Sequence, residues 1–140
     1  MSKLKPLHLT KAIPVNVYDI DALGIVSNIV YIRWLEDLRM HFLDNYYPFE
    51  TLYEEGKSPI LSDTKIKYLY PIRIGDHPTG EIWMSEITKS RWECSFEIKV
   101  GSKVHASATQ NGYFIDIERQ RPTRIPEKLQ ALWNDEINSD

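Results

Sequence analysis

Only one cysteine, Cys94, occurs in the 140 residues, so no intrachain disulfide can form and no cysteine cluster can hold a metal. It alternates with Trp92, Phe96 and Ile98, the pattern of a buried, inert thiol on a strand. The four histidines, His8, His41, His77 and His105, share no ligand spacing, so no metal site is expected. Ser62, Ser90 and Ser107 lack the Gly-x-Ser-x-Gly setting of a serine hydrolase. No stretch is long enough to span a membrane, and residues 1–9 lack the apolar run of a secretory signal, which leaves a cytoplasmic location as the expectation. Positive charge is not in excess either: 17 Lys and Arg face 20 Asp and Glu, a net charge of -3. That balance argues against a grip on a nucleic-acid backbone, so Trp83, Trp92 and Phe96 read as core rather than as base-stacking platforms. Internal repeats and low-complexity segments are absent.

What is present suits a globular chain: 42% hydrophobic and 26% charged residues, within a length that fits one domain over residues 1–140. Ile13, Val15 and Val17 alternate with Pro14, Asn16 and Tyr18, which predicts a first strand near a sheet edge. After a break at Asp19–Gly24, Ser27 is placed to cap a helix. From Asn28 to about Tyr46, Tyr31, Trp34, Leu35, Leu38 and Phe42 recur at three- and four-residue spacings opposite Arg33, Asp37, His41 and Asp44. Ile29, Val30, Ile32, Met40 and Leu43 widen the apolar surface, which predicts a curved sheet wrapped around this helix. A short helix from Phe49 to Glu55 stops at Gly56. Four strands follow, Ile60–Tyr70, Pro78–Thr88, Arg91–Val100 and Lys103–Ile117, with short antiparallel connections. Trp92, Cys94, Phe96, Ile98 and Val100 face inward, His105 points off the apolar face, and Gly112 marks a bulge. Pro126 opens a terminal helix with Leu129, Leu132 and Trp133. The fold class is therefore α+β: about five curved antiparallel strands around one long central helix.

The run Asp19-Ile-Asp21-Ala-Leu-Gly24-Ile-Val-Ser-Asn28-Ile-Val-Tyr31-Ile-Arg33-Trp34-Leu-Glu36 resembles the pattern of hotdog-fold acyl-CoA thioesterases of the 4-hydroxybenzoyl-CoA thioesterase-like family: an acidic pair, Gly-Ile-Val, then Tyr-x-Arg-Trp-x-Glu. The resemblance extends over nearly the whole chain, with Ile66–Asp76 similar to the family's second strand and turn and Phe114–Asp116 to its last strand.

The resemblance implies hydrolysis of a fatty or aromatic acyl-CoA without an external cofactor. Asp21, the second acid, becomes the catalytic carboxylate, as nucleophile or general base. Asp19 becomes structural. The thioester oxygen would be met by backbone N–H groups at the helix start, where unpaired donors and the helix dipole favour negative charge, and Asn28 holds the position carried over for that N–H. Gly24, Val26, Ser27 and Tyr31 would contact substrate. Where many relatives carry Tyr-His-x-Asn, this chain has Ser27-Asn28-Ile29-Val30, and Val30 makes that wall apolar, a pointer to fatty acyl groups.

Lys89, Ser90 and Arg91 at a strand turn are candidate contacts for the coenzyme A phosphates, weighed against an ordinary solvated turn. Glu36 with Arg39 and Arg33 with Asp37 have the spacing of surface ion pairs. Family likeness implies a homodimer or a tetramer built as a dimer of dimers, and an unpaired edge at Arg91–Val100 or its neighbour supplies the motive. Two alternatives stand beside hydrolysis of acyl-CoA: the same chemistry on acyl carrier protein, and a catalytically silent acyl-CoA-binding protein.

Overall fold

A computed structural model describes residues 4–139. In chain order these form β1 (Leu9–Ala12), a 3₁₀ turn (Val17–Asp19), α1 (Asn28–Tyr46), α2 (Phe49–Glu55), β2 (Lys57–Tyr68), β3 (Pro78–Ile87), β4 (Trp92–Val100), β5 (Lys103–Asp116), β6 (Arg121–Thr123) and α3 (Glu127–Asn138). The strands make one antiparallel sheet in the order β1-β3-β4-β5-β2. Beyond the start of β4, β6 takes its place beside Phe114–Asp116 of β5. The sheet curls around α1, the hotdog arrangement.

Helix α1 begins and ends at the residues its periodicity marks. At 1.5 Å per residue its 19 residues run roughly 28 Å, and Tyr31, Trp34, Leu35, Leu38 and Phe42 are all buried against the sheet. Leu38 has no exposed surface, so Leu38→Ala would cost about 2–5 kcal/mol. Ser27 sits at the N-cap with an extended backbone, yet its side chain makes no capping bond. Its own N–H instead reaches the Asp19 carbonyl at 3.0 Å. Pro48 disfavours helical backbone at Tyr47 and ends the helix there. Gly56, in the left-handed region at φ 68°, closes α2.

Several expectations are corrected. Residues 13–18 are not a strand: the ladder with β3 covers Leu9–Ala12 and closes with the Ile13 N–H on the Pro78 carbonyl at 2.9 Å, and Val17 stands in the 3₁₀ turn, exposed. Ile29 and Ile32 are not wrapped by the sheet but face outward. Gly112 is in register between Leu61 and Trp92, and the bulge lies across from it, between Leu61 and Asp63 of β2. A Cβ at Gly112 would stand 2.0 Å from the Ile60 carbonyl oxygen and 2.3 Å from the Trp92 ring. The glycine thus leaves the hollow that the indole fills, while Trp92 Nε1–H donates to the Tyr113 carbonyl at 3.1 Å. Finally, β4 lies between β3 and β5, so the unpaired edge is not there; the free edges belong to β1 and β2. His105 does lie off the apolar face, its Nδ1 at 3.2 Å from the Pro71 carbonyl.

Candidate functional site

The acidic pair lies on a loop fixed from both ends. The Asp19 carboxylate is buried and accepts the Asn16 N–H at 2.9 Å, while its carbonyl accepts from Ser27. Asp21 turns the chain tightly: Gly24 N–H donates to its carbonyl at 3.0 Å, and its N–H donates to the Ile25 carbonyl at 2.9 Å. Gly24 takes φ +79° there, a backbone that a side chain would strain. The Asp21 side chain is exposed, and its Oδ1 accepts from the Leu23 N–H at 2.8 Å and the Ile25 N–H at 3.4 Å. A short bridge from Ile20 to Val26, another from Ile25 to Arg73, and the Val26 N–H on the Ile72 carbonyl at 2.8 Å tie this loop to the entry of β3.

At the start of α1 the Val30 N–H turns back to the Ser27 carbonyl. Among the described residues no backbone carbonyl accepts from the amides of Asn28 or Ile29. Two donors are therefore left where the helix dipole is positive. Beside them opens a cleft of about 240 Å³, lined by Val26, Asn28, Tyr31, Tyr68, Tyr70 and their neighbours. Tyr68 donates its hydroxyl to the Asn28 carbonyl at 3.2 Å and meets the Tyr31 ring edge-on at 5.1 Å. Burial first and Tyr68 second push the Tyr31 phenol up to about 12, so it stays a neutral hydrogen-bonding group at physiological pH.

Of the residues singled out in the sequence, Val26, Asn28 and Tyr31 line this cleft together. Asp21, Gly24 and Ser27 stand on the adjoining loop. Val30 faces the opposite side of the loop, into a second cleft, so it does not form the wall from which a fatty acyl preference was inferred. Lys89, Ser90 and Arg91 lie at the other end of the sheet: Tyr68 pairs with Ala106, which faces Ile98, six residues and roughly 20 Å along β4 from Trp92. Tyr68, Leu69 and Tyr70 are the site residues that pattern reading missed. Their signal was a run of apolar side chains with no alternation, just before Pro71.

The helix pair Glu36 and Arg39 does form, at 3.7 Å, and Arg39 also donates to the buried Gln110 amide at 2.8 Å. Arg33 and Asp37 form no ion pair among the described residues. Beneath Arg39 the void against Met84, Trp92, Cys94 and Phe114 measures only about 20 Å³, room for one water. That void is too small for an acyl chain, and the buried Cys94 thiol, pushed up to about 12 by burial, is no nucleophile.

Residues 15–132 match the thioesterase-like superfamily. The chain belongs to that family. No functionally curated protein matches its sequence. Among solved structures, it is similar to a probable thioesterase from Escherichia coli (22% identity, TM-score 0.81, covering 89% of this chain and 98% of that one). It is also similar to a 1,4-dihydroxy-2-naphthoyl-CoA thioesterase from Synechocystis (17%, TM-score 0.80, 91% and 96%). A hypothetical protein from Staphylococcus aureus in complex with CoA superposes with TM-score 0.84 at 13% identity over 94% and 84% of the chains. At these identities the structures establish the shared fold, and family membership carries thioester hydrolysis as the chain's chemistry.

Proposed function

We propose that this member of the thioesterase-like superfamily hydrolyses acyl-CoA to the free acid and coenzyme A at the start of α1. The observation that carries the reading is the pair of unpartnered amides at Asn28 and Ile29 beside an open, tyrosine-lined cleft, with the Asp21 carboxylate on the adjoining loop. In this reading the thioester oxygen takes those amides, which stabilise the negative charge that develops as the carbonyl is attacked. Asp21 draws a proton from water, whose oxygen bonds to the carbonyl carbon, or attacks that carbon itself and is released by water afterwards. In both routes the carbon–sulfur bond breaks as the adduct collapses and the thiolate leaves, taking up a proton; in the second, water hydrolyses the resulting acyl–Asp21 anhydride only after that departure. Three tyrosine rings along the cleft suit a flat aromatic acyl group as well as a short aliphatic one.

Asp21 is exposed in a single chain, which is a poor setting for catalysis, and a second copy supplies a remedy. The edge of β2 is unpaired, and Leu61, Tyr68, Leu69, Tyr70 and Ile74 are exposed on and after it, with Leu23, Ile29 and Ile32 exposed at the helix start. An apolar surface of this kind beside an open edge marks an interaction site. Two β2 edges pairing antiparallel about a two-fold axis would cover it and enclose the Asp21 loop. They would also set residue 57 of one copy toward residue 68 of the other, carrying the 89–91 turn of a second copy toward this site. Light scattering should therefore give the mass of at least two chains at micromolar concentration, and a monomer there would remove the shared site.

The amide donors have a direct test. Asn28 is the first helical residue, where proline is tolerated and the preceding Ser27 already has the extended backbone proline requires. Asn28→Pro should keep the fold and lower kcat for acyl-CoA by about 10²–10³, the scale for losing one oxyanion donor. Asn28→Ala, which keeps its N–H, should stay within a few-fold of wild type. Thiol release measured across aromatic and aliphatic acyl-CoAs, with acyl carrier protein thioesters alongside, reads both variants and the substrate class. Equal rates in Asn28→Pro and wild type would exclude this amide from the mechanism.

A further inference from the structure

On the far side of the Asp21 loop a second cleft, of about 370 Å³, opens between β1 and the first three turns of α1. Ile13, Val30, Trp34 and Leu38 make an apolar floor. That floor depends on Gly80 of β3, opposite Lys11 in register, because a Cβ there would stand 2.7 Å from both Ile13 Cδ1 and Leu38 Cδ1.

The rim has a different character. Lys11, Asn16, Tyr18, Arg33 and Asp37 surround the opening. Asp37 is four residues from Arg33, the spacing that ordinarily pairs them, yet among the described residues neither Arg33 nor Lys11 is paired with a carboxylate. The Asp19 carboxylate, also at this cleft, is committed to the Asn16 amide. Tyr18 is 81% exposed and stacks on no other ring among the described residues. Lys11 and Arg33, neither within ion-pair distance of a carboxylate among the described residues although Asp19 and Asp37 line the same cleft, together with a bare aromatic ring and an apolar floor form a set that a phosphorylated nucleotide satisfies. The guanidinium and ammonium take phosphate oxygens, and the ring packs against a base.

We propose that this cleft receives the phosphorylated nucleotide end of the acyl-CoA substrate, with Lys11 and Arg33 on its phosphates and Tyr18 against the base. The assignment rests on the hydrolase reading above and deepens it. Val30, in the first turn of α1, lines this cleft, and Asn28, two residues before it, lines the tyrosine cleft. A pantetheine arm crossing the helix start thus joins the nucleotide to the amide donors. Because β1 and β2 are opposite ends of the sheet, pairing through β2 leaves the nucleotide cleft open.

The test compares acyl-CoA with the same acyl group on pantetheine, which has no nucleotide, in wild type and in the double variant Lys11→Ala with Arg33→Ala. The KM for acyl-CoA should rise about tenfold or more with kcat unchanged, while the KM for acyl-pantetheine stays put. Both substrates shifting together, or neither shifting, would overturn the assignment. So would a penalty specific to acyl-CoA that appears in Lys89→Ala with Arg91→Ala and not in the Lys11, Arg33 pair. If wild type releases thiol from neither substrate, the hydrolase reading fails, and calorimetry with CoA alone still decides the cleft. Wild type holding CoA tenfold more tightly than the double variant supports it, and equal affinity refutes it.

Discussion

At the scale of single residues, the most strongly perturbed carboxylate lies outside the proposed site. Glu81 on β3 is buried on the sheet face away from α1, 2.6 Å from Lys99 Nζ, 2.8 Å from His8 Nε2 and 3.1 Å from Lys5 Nζ. Burial alone would raise its pKa, but the hydrogen bonds from Lys99, His8 and Lys5 outweigh it and hold the carboxyl at about 2. Lys5 also sits 4.5 Å over the Trp83 ring, so these contacts strap residues 5–8 to the sheet. Because the folded value lies below the ordinary carboxylate value, the stabilisation is fully present above about pH 4.5 and is lost as pH falls toward 2. It is worth on the order of 3 kcal/mol at neutral pH. Denaturant midpoints of wild type and Glu81→Gln should differ clearly at pH 7 and converge near pH 2; a constant gap would contradict the assignment.

At the scale of elements, Gly112 is where β5 is least tolerant. With a backbone oxygen and an indole already occupying the space of a Cβ, Gly112→Ala must part β5 from β2 or expel the Trp92 ring. The loss should be about 3 kcal/mol or more, the upper range for overpacking, read by thermal or denaturant unfolding. A change under 1 kcal/mol would mean that the strands adjust freely.

The same scale explains what pattern reading could and could not find. Helix α1 is legible from Asn28 to about Tyr46 because its buried stripe, its glycine-bearing loop and Pro48 agree. The strand expected at Ile13–Tyr18 was misplaced because alternation there serves packing around the 3₁₀ turn: Ile13 plugs the space left by Gly80, and Asn16 binds Asp19. Strand β6 was missed, since three residues including Pro122 carry no period. Ile29 and Ile32 looked like core because hydrophobicity records that a surface is to be covered, not by what. In the loop, Asp21, Gly24 and Asn28 could be read from local motif, whereas both clefts depend on residues far apart in sequence, Tyr68 and Tyr70 for one and Lys11 and Arg33 for the other.

For the whole molecule, the curled sheet has two physically different ends. One edge, β2, is long, unpaired and flanked by apolar side chains, while the other, β1, is four residues long and borders the charged cleft. Between them stands the helix start, with Asn28 at the tyrosine cleft and Val30 at the charged one. No described helix is long and apolar enough to cross a membrane, and the exposed apolar surface is concentrated around the loop, the helix start and β2, the surface that the proposed pairing of two copies would cover. The central claim is that Asp21 does acid–base or nucleophilic work at this place. Thiol release from the preferred acyl-CoA should be measured side by side for wild type and Asp21→Asn, with melting curves confirming that both are folded. The expected result is a kcat lowered by about a hundredfold or more, with the fold intact; a folded Asp21→Asn protein turning over at the wild-type rate would contradict it.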